Sequence, residues 1–177
     1  DPDIYIYASW VVGFPFESMD DIKETHDFAK SLDLDWSAFY CFTPYPGTQL
    51  YDECLQKGII NKGNKLTNVL TMNAISTDQF TADELLFHNY CANIDINFLN
   101  NRNMTINPER AVRDFEDMIF TYPTHVFGYY CLSRHYFNHG NKQKGAEYLN
   151  KAHESANKDS FYMPYIKFFG LERELCA

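Results

Sequence analysis

Positive charge and long apolar runs are both scarce in this sequence of 177 residues. Its 15 lysines and arginines are outnumbered by 24 acidic residues, and the formal net charge is −9. A chain with this charge repels the phosphates of nucleic acids and of anionic membranes, which argues against both as main partners. No stretch approaches the roughly 20 apolar residues that cross a bilayer. No charged start leads into an apolar core and a cleavage site. We therefore expect a cytoplasmic protein with no membrane partner.

Cysteines are few and lie far apart. The five are Cys41, Cys54, Cys91, Cys131 and Cys176. An odd number of widely spaced cysteines is typical of a reduced, intracellular protein and not of a disulfide framework. No two of them have the short spacing of a metal or cluster motif.

Apolar residues, in contrast, are plentiful. Hydrophobic residues make up 45% of the chain and aromatic residues 17%, which is enough to fill a core. This length suits one compact domain, or a small α/β unit followed by a helical one. Asp1-Pro2-Asp3 runs almost at once into a strand-like segment. From this abrupt start we expect the chain to be part of a longer protein.

The first 60 residues predict a β-α-β unit. Residues 4–12 and 36–42 are rich in β-branched and aromatic side chains, and the first run is nearly continuous, which is typical of a parallel strand buried on both faces. Ser18 predicts the start of a helix over 19–32, and Thr48 predicts the start of a short helix over 49–57 after the second strand. Two strands cannot cover both faces of a sheet, so we expect upstream strands to be missing. The open sheet predicts self-association of the isolated chain.

The rest of the chain predicts a linker and then helices. Residues 61–76 are rich in asparagine, as linkers often are, and Thr81 with Glu84 forms a capping-box pattern. The predicted helices are 82–101, 108–122, 125–139, 142–157 and 161–175. The third and fourth resemble one tetratricopeptide-type hairpin. We therefore predict an α/β domain at 1–60, a linker at 61–76 and an α-helical C-terminal region at 77–177.

Two motifs occur at the ends of the predicted strands. Residues 10–18 read WVVGFPFES and residues 44–48 read PYPGT. In this order they resemble the closing part of the radical S-adenosylmethionine barrel, in the branch of methylthiotransferases and many cobalamin-domain enzymes. There, one strand ends in Gly-Phe/Leu-Pro-Gly-Glu-Thr and the next in Pro-x-Pro-Gly-Thr. The resemblance covers residues 4–58. It implies an α/β fragment of a partial (β/α)₆ TIM-type barrel, followed by an all-α region.

The resemblance also implies that both strand ends face a bound S-adenosylmethionine, the first of them beside its adenine. Gly13 would let the backbone approach a ligand closely, and Pro15 would stiffen the turn. Glu17 or Ser18 would orient the next helix or accept a hydrogen bond from the ligand. The other interpretation is a plain strand-to-helix turn, which glycine, proline and serine build in many α/β proteins. The cofactor-binding candidates are Val12, Gly13, Phe14, Pro15, Glu17 and Pro46.

Departures from the family pattern limit what this chain can do alone. Phe16 stands where the family has Gly, and Ser18 where it has Thr. The Cys-x-x-x-Cys-x-x-Cys loop, whose thiolates hold the family's [4Fe–4S] cluster, is absent. The resemblance implies S-adenosylmethionine and this cluster for the full-length enzyme and leaves the use of cobalamin open. We expect this chain alone to bind none of them tightly, to be inactive and to contain no catalytic residue. Its implied partner is the missing N-terminal part of the barrel.

Two further clusters each have two interpretations. Cys131, His135 and His139 recur at every fourth residue, so a helix would place them on one face, a spacing that suits zinc. The alternative, which we favour, is that the first two make core contacts and that His139 lies near a helix end, where a cation suits the dipole. We therefore assign no metal site. The C-terminal aromatic cluster suits either a packed helix or a docking surface; it consists of Phe161, Tyr162, Tyr165, Phe168 and Phe169.

Two functions of different classes follow. The first is a fragment of a radical S-adenosylmethionine enzyme, which contributes to the cofactor pocket and whose substrate the sequence does not reveal. The alternative is a helical protein-binding or assembly module, in which the α/β unit is a non-catalytic scaffold. A three-cysteine loop upstream of Asp1 in the full gene would decide for the enzyme.

Overall fold

The computed structural model describes residues 4–61 and 74–176, a mixed α/β structure in which helices predominate. The chain divides into two compact units, Asp1–Asn93 and Ile94–Ala177. Most of the predicted linker lies outside the described residues, and the predicted domain boundaries stay predictions. In the part of the chain that is described, no helix is both long enough and apolar enough to cross a membrane.

The first unit contains a two-stranded parallel sheet. β1 (Tyr7–Val12) pairs with β2 (Trp36–Cys41) along the full length of both strands. The helices of this unit are α1 (Met19–Ser31), α2 (Gln49–Gln56) and α3 (Ala82–Ile94). Because α1 connects two parallel neighbours, the predicted β-α-β unit is confirmed. Two strands do not form a barrel, and the barrel stays a prediction.

Side-chain caps begin the helices of this unit where the sequence predicts them. Ser18 caps α1 and Thr48 caps α2, each accepting a hydrogen bond from a backbone N–H of the first turn. At the start of α3, the N–H of Thr81 donates to the carboxylate of Glu84 at 2.9 Å, and the N–H of Glu84 donates to Thr81 Oγ1 at 3.2 Å. A cap of this kind satisfies donors that have no partner inside the helix and contributes about 1 kcal/mol.

One face of the sheet is covered by helices and the other is exposed. Val12 is fully buried and packs with Ile22 of α1 and Leu85 of α3. On the opposite face, Tyr7 is 50% exposed and Val11 is 48% exposed. The prediction that this strand is buried on both faces is therefore wrong for the described residues. The reason is that α1 and α3 both pack against the face that carries Val12.

The second unit is helical throughout its described part. Its elements are a π-helical turn (Asp95–Leu99), α4 (Asn103–Ile106), α5 (Pro108–Thr121), α6 (Val126–Asn138), α7 (Lys142–Lys158), a 3₁₀ turn (Ser160–Tyr162), α8 (Met163–Phe168) and α9 (Glu172–Leu175). Phe115, Phe127 and Leu132 are fully buried in its core. α6 and α7 pack along each other, with Gly145 of α7 against the ring of Phe137. The likeness of this pair to a tetratricopeptide hairpin stays a prediction.

The predicted helix over 82–101 is wrong at its C-terminal end. The α-helix ends at Ile94, and the chain continues as the π-helical turn. The N–H of Asn100 donates to the carbonyl of Asp95 at 2.8 Å, five residues back and not four. The side-chain amide of Asn101 also donates to the carbonyl of Asn97 at 2.9 Å. Asparagine side chains compete for backbone groups in this way, which lowers their preference for a helix interior.

The predicted helix over 161–175 is also corrected, because the structure breaks it into the 3₁₀ turn, α8 and α9. The N–H of Leu171 donates to the carbonyl of Ile166 at 3.0 Å, a bond that closes the end of α8. The aromatic cluster divides accordingly. Tyr162 and Tyr165 are buried, whereas about half of each of Phe161 and Phe168 is exposed.

Candidate functional site

The C-terminal ends of β1 and β2 lie at one edge of the sheet because the two strands are parallel. The turns that follow them, residues 13–18 and 42–48, both start from this edge. The N–H of Phe42 donates to the carbonyl of Val12 at 2.7 Å and so joins the two strand ends. Ligands of parallel α/β proteins commonly bind outside this edge. We call residues 12–18 and 42–48 the strand-end site.

Glu17 closes the first turn with its carboxylate. Its Oε2 accepts hydrogen bonds from the N–H of Gly13 at 2.6 Å and from the N–H of Phe14 at 2.8 Å. The backbone N–H of Glu17 donates to the carbonyl of Phe14 at 3.0 Å. Two donors at the end of β1 are therefore bonded within the protein. Glu17 therefore holds the turn that precedes α1, and its predicted role in orienting the next helix and its hydrogen bond to a ligand stay predictions.

Gly13 is required by both the backbone and the packing. Its φ of +85° lies in the region that residues with a Cβ atom rarely adopt. A Cβ atom built on it would lie 2.3 Å from Cδ2 of Leu85. Leu85 of α3 therefore occupies the space that any side chain at position 13 needs. Backbone conformation and packing together account for this glycine, and the predicted close approach of a ligand to it stays untested.

The other cofactor candidates differ in their access to solvent. The Val12 side chain is fully buried, so only its backbone reaches the edge of the sheet. Pro15 is buried and Phe14 half-buried. Pro46 is exposed in the second turn, where the Oγ1 of Thr48 donates to the carbonyl of Tyr45 at 2.8 Å. The structure thus brings all six candidates to one edge of the sheet, and ligand contacts for them stay predictions.

Three phenylalanine rings form a ladder at this edge. The ring centroids of Phe42 and Phe14 are 4.7 Å apart. Those of Phe14 and Phe16 are 5.4 Å apart, with the ring planes inclined by only 13°. Phe42 is buried, whereas Phe16 is 69% exposed. We call these three residues the phenylalanine ladder. The sequence identified Phe16 only as a departure from the family pattern, because nothing in a local motif indicates a ring from the next strand.

Three side chains connected by hydrogen bonds, which the sequence did not indicate, form a polar row on the helix-covered face of the sheet. Asn89 Nδ2 donates to Cys41 Sγ at 3.7 Å, and Asn89 Oδ1 lies 3.1 Å from His26 Nε2. Burial lowers the pKa of His26 and raises the pKa of the Cys41 thiol. A nucleophilic cysteine needs a lowered pKa and a base in contact with the sulfur. Because the amide of Asn89 lies between the two side chains, we interpret this row as a structural link between α1, α3 and β2.

The metal candidates Cys131 and His135 of α6 and His139, which follows the helix, do not form a ligand set. Cys131 is buried, and burial raises the pKa of its thiol to about 12, which opposes the thiolate that binds metals. The rings of His135 and His139 stack with centroids 4.2 Å apart, and Nδ1 of His139 lies 2.8 Å from the carbonyl of His135. Within residues 4–61 and 74–176, no three His, Cys, Asp or Glu side chains are grouped so that they could hold a metal ion.

Comparisons with known proteins match short stretches of the chain. It is 35% identical over 57 residues, 32% of its length, to an uncharacterized methyltransferase of Pyrococcus horikoshii. It is 43% identical over 51 residues, 29% of its length, to a tRNA-2-methylthio-N(6)-dimethylallyladenosine synthase of Vibrio vulnificus. Over 47 residues, 27% of its length, it is 36% identical to the synthase of that name from Acinetobacter baylyi.

These matches cover 12%, 11% and 10% of the three relatives, so the chain spans about a tenth of the length of the curated proteins that it matches. No family model matches the chain, and no solved structure does. The comparisons therefore support the radical S-adenosylmethionine superfamily at most, through a short likeness to a methyltransferase and to tRNA methylthio synthases.

Proposed function

We propose that this chain is the closing part of the barrel of a radical S-adenosylmethionine enzyme, and that its strand-end site forms one wall of the cofactor pocket. The observation that carries the proposal is the parallel strand pair, whose two motif-bearing turns start from one edge of the sheet. The short matches to a methyltransferase and to tRNA methylthio synthases support the same class of enzyme.

The exposed face of the sheet supports the partial barrel. In a (β/α) barrel the helices cover the outside of the strands, and the other face points into the barrel. α1 lies on one face of this sheet, and the opposite face carries the exposed side chains of Tyr7 and Val11. The hydroxyls of Tyr7 and Tyr40 lie 3.3 Å apart on that face. Upstream strands would close the barrel over this face and bury it.

The iron–sulfur cluster does not fit the residues of this chain. Its five cysteines lack the spacing of a cluster loop, and three of them are buried. The thiolates must therefore come from an upstream segment. When bound together, the cluster and S-adenosylmethionine supply a 5′-deoxyadenosyl radical. The contribution of this chain is to shape the pocket wall, where Glu17 holds the turn and Phe14 and Phe16 present their rings.

Experiments on the longer protein, of which we propose this chain to be a part, test the proposal. Its gene should encode a Cys-x-x-x-Cys-x-x-Cys loop upstream of Asp1. The protein purified without oxygen should contain the iron and sulfide of a [4Fe–4S] cluster and, once reduced, should cleave S-adenosylmethionine to 5′-deoxyadenosine. Replacing the three cysteines of that loop with alanine should abolish both. A gene that encodes no such loop, or a reduced protein that leaves S-adenosylmethionine intact, would overturn the proposal.

The second unit supports a second candidate, a helical binding or assembly module. Phe120 of α5 is 87% exposed and Tyr122 is 58% exposed, so two aromatic side chains close in sequence both lie at the surface. Neighbouring exposed apolar groups can mark a site of protein interaction. Phe120→Asp in the longer protein separates the candidates. A barrel enzyme keeps its cleavage of S-adenosylmethionine and its native mass in light scattering, whereas an assembly module loses part of its native mass.

A further inference from the structure

We infer that Cys176 and Met163 of the second unit together form a binding site for a soft monovalent metal ion, Cu(I). The thiol of Cys176 donates to the thioether of Met163, and the two sulfur atoms lie 4.0 Å apart. The residues are 13 positions apart in the chain, so no short motif in the sequence indicates the pair. This inference goes beyond the proposed function and does not depend on it.

The distance between the two sulfur atoms suits a shared metal ion. A sulfur ligand lies about 2.3 Å from the ion that it binds. Two bonds of this length to atoms that are 4.0 Å apart meet at an angle of about 120°, which is the angle of a trigonal site. Cys176 is exposed, so an ion reaches the pair from solvent, and a water molecule or a small thiol can take the third position.

The chemistry of the two ligands selects the ion. Thiolate and thioether sulfur are soft ligands that favour Cu(I), whereas structural Zn²⁺ takes four nitrogen, sulfur or oxygen ligands. Among residues 4–61 and 74–176, no three His, Cys, Asp or Glu side chains are grouped so that they could hold a metal ion. A pair of sulfur atoms therefore suits an ion that needs few ligands. When the ion binds, the thiol proton is released to solvent and no electron is transferred.

The segments that carry the two sulfur atoms are held in place without a metal. Met163 begins α8, and Cys176 directly follows α9. The side chain of Leu175 is fully buried beside Cys176 in the sequence. The carbonyl of Glu174 accepts a hydrogen bond from Nε2 of His153 at 2.7 Å, which fastens α9 to α7. A site that is already ordered loses little conformational entropy when it binds an ion.

The other cysteines are less accessible than Cys176. Cys54, Cys91 and Cys131 are buried, and Cys41 is half-buried. A metal ion added to the folded chain therefore meets the thiol of Cys176 first. We expect the chain to bind one equivalent of Cu(I) tightly.

Competition for Cu(I) between the reduced 177-residue chain and the chelator bicinchoninate, in buffer without oxygen, tests the inference. The wild type should retain one equivalent of copper, and Cys176→Ser should lose it. Met163→Leu keeps an apolar side chain of similar size and should weaken binding at least about 10-fold, since removing even an outer partner of a metal site has an effect of that size. Met104→Leu is the matched control, because Met104 is likewise half-buried in a short helix, α4, and it should leave the affinity unchanged.

Two further measurements characterise the ion and its ligands. X-ray absorption of the copper complex should show sulfur neighbours around the ion. Zn²⁺ should bind more weakly than Cu(I), because two ligands leave its tetrahedral shell incomplete. Circular dichroism of each variant confirms that it is folded.

Several results would overturn the inference. They are no retention of copper by the wild type, full retention by Cys176→Ser, an equal loss in Met104→Leu, an absence of sulfur around the ion, or tighter binding of Zn²⁺. An unchanged affinity in Met163→Leu would also overturn it and would make the pair a packing contact only. None of these measurements involves S-adenosylmethionine, so failure of the metal site leaves the proposed function untouched, and failure of the proposed function leaves the metal site untouched.

Discussion

Replacing Gly13 with alanine is the most direct test of how the strand-end site is built. Two physical effects act against this single methyl group. The φ of +85° disfavours any residue with a Cβ atom by about 1–2 kcal/mol. The new Cβ atom would also lie 2.3 Å from Cδ2 of Leu85, and overpacking of a core costs about 1–3 kcal/mol. We therefore expect Gly13→Ala to lower the free energy of unfolding of the first unit by about 2–5 kcal/mol.

The chain provides a matched control for this change. Gly47, in the second turn of the strand-end site, has a φ of +88°, and a Cβ atom built on it meets nothing within 4 Å. Gly47→Ala should therefore lower the free energy of unfolding only by the cost of the backbone conformation, about 1–2 kcal/mol. The difference between the two variants measures the contact with Leu85. In a Leu85→Ala background that difference should largely disappear, because the smaller side chain leaves room for the methyl group.

Urea denaturation followed by tryptophan fluorescence measures these changes. The two tryptophans of the chain, Trp10 and Trp36, both lie in the strands of the first unit, so the signal reports on that unit. Equal losses for Gly13→Ala and Gly47→Ala would refute the reasoning, because they would mean that Leu85 does not fill the space beside Gly13. An undiminished loss in the Leu85→Ala background would refute it as well.

Three further predictions concern other parts of the molecule. Glu17→Ala should lower the free energy of unfolding in the same fluorescence assay by about 1–3 kcal/mol, since two backbone donors lose their acceptor; an unchanged midpoint would contradict this. Burial lowers the pKa of His125 to about 4 in the folded chain. As the pH falls below 6.5, this imidazole is therefore protonated in the unfolded chain before it is protonated in the folded one. Between pH 7 and pH 5 the free energy of unfolding of the second unit should fall by about 2 kcal/mol more in the wild type than in His125→Asn, as measured by far-ultraviolet circular dichroism. Equal slopes of this free energy against pH in the two proteins would exclude the effect. The isolated chain should self-associate through its open sheet, and Val11→Lys should reduce the mass seen by light scattering, whereas a clean monomer at all concentrations would argue against exposed strands.

Local signals in the sequence were sufficient for most of the elements. Apolar runs marked both strands, and the caps at Ser18, Thr48 and Thr81 marked three helix starts that the structure confirms. A cap acts between residues three positions apart, so its pattern is visible in the sequence. The two corrected helices depart from the prediction at asparagines and at Gly170, where side-chain amides or a change of backbone direction interrupt the ladder of hydrogen bonds.

The candidate site could be predicted only in part. The motifs identified the two turns, and the parallel order of the strands implied that both turns share one edge of the sheet. The predicted burial of β1 on both faces was wrong for the described residues. A continuous apolar run does not reveal how many helices and strands the chain itself supplies to cover the two faces of that strand. The spacing of Cys131, His135 and His139 suited a metal, yet burial of the thiol and stacking of the two rings oppose that use.

The sequence by itself determined most of the elements, their order and the chemistry of the two turns, because these depend on residues a few positions apart. Only the tertiary structure decided why Gly13 must be glycine and how the phenylalanine ladder is built. Leu85 fills the space beside Gly13 from a helix far along the chain, and Phe42 supports Phe14 from the neighbouring strand. Such contacts arise from packing between distant segments, which the side chains of a single segment do not specify.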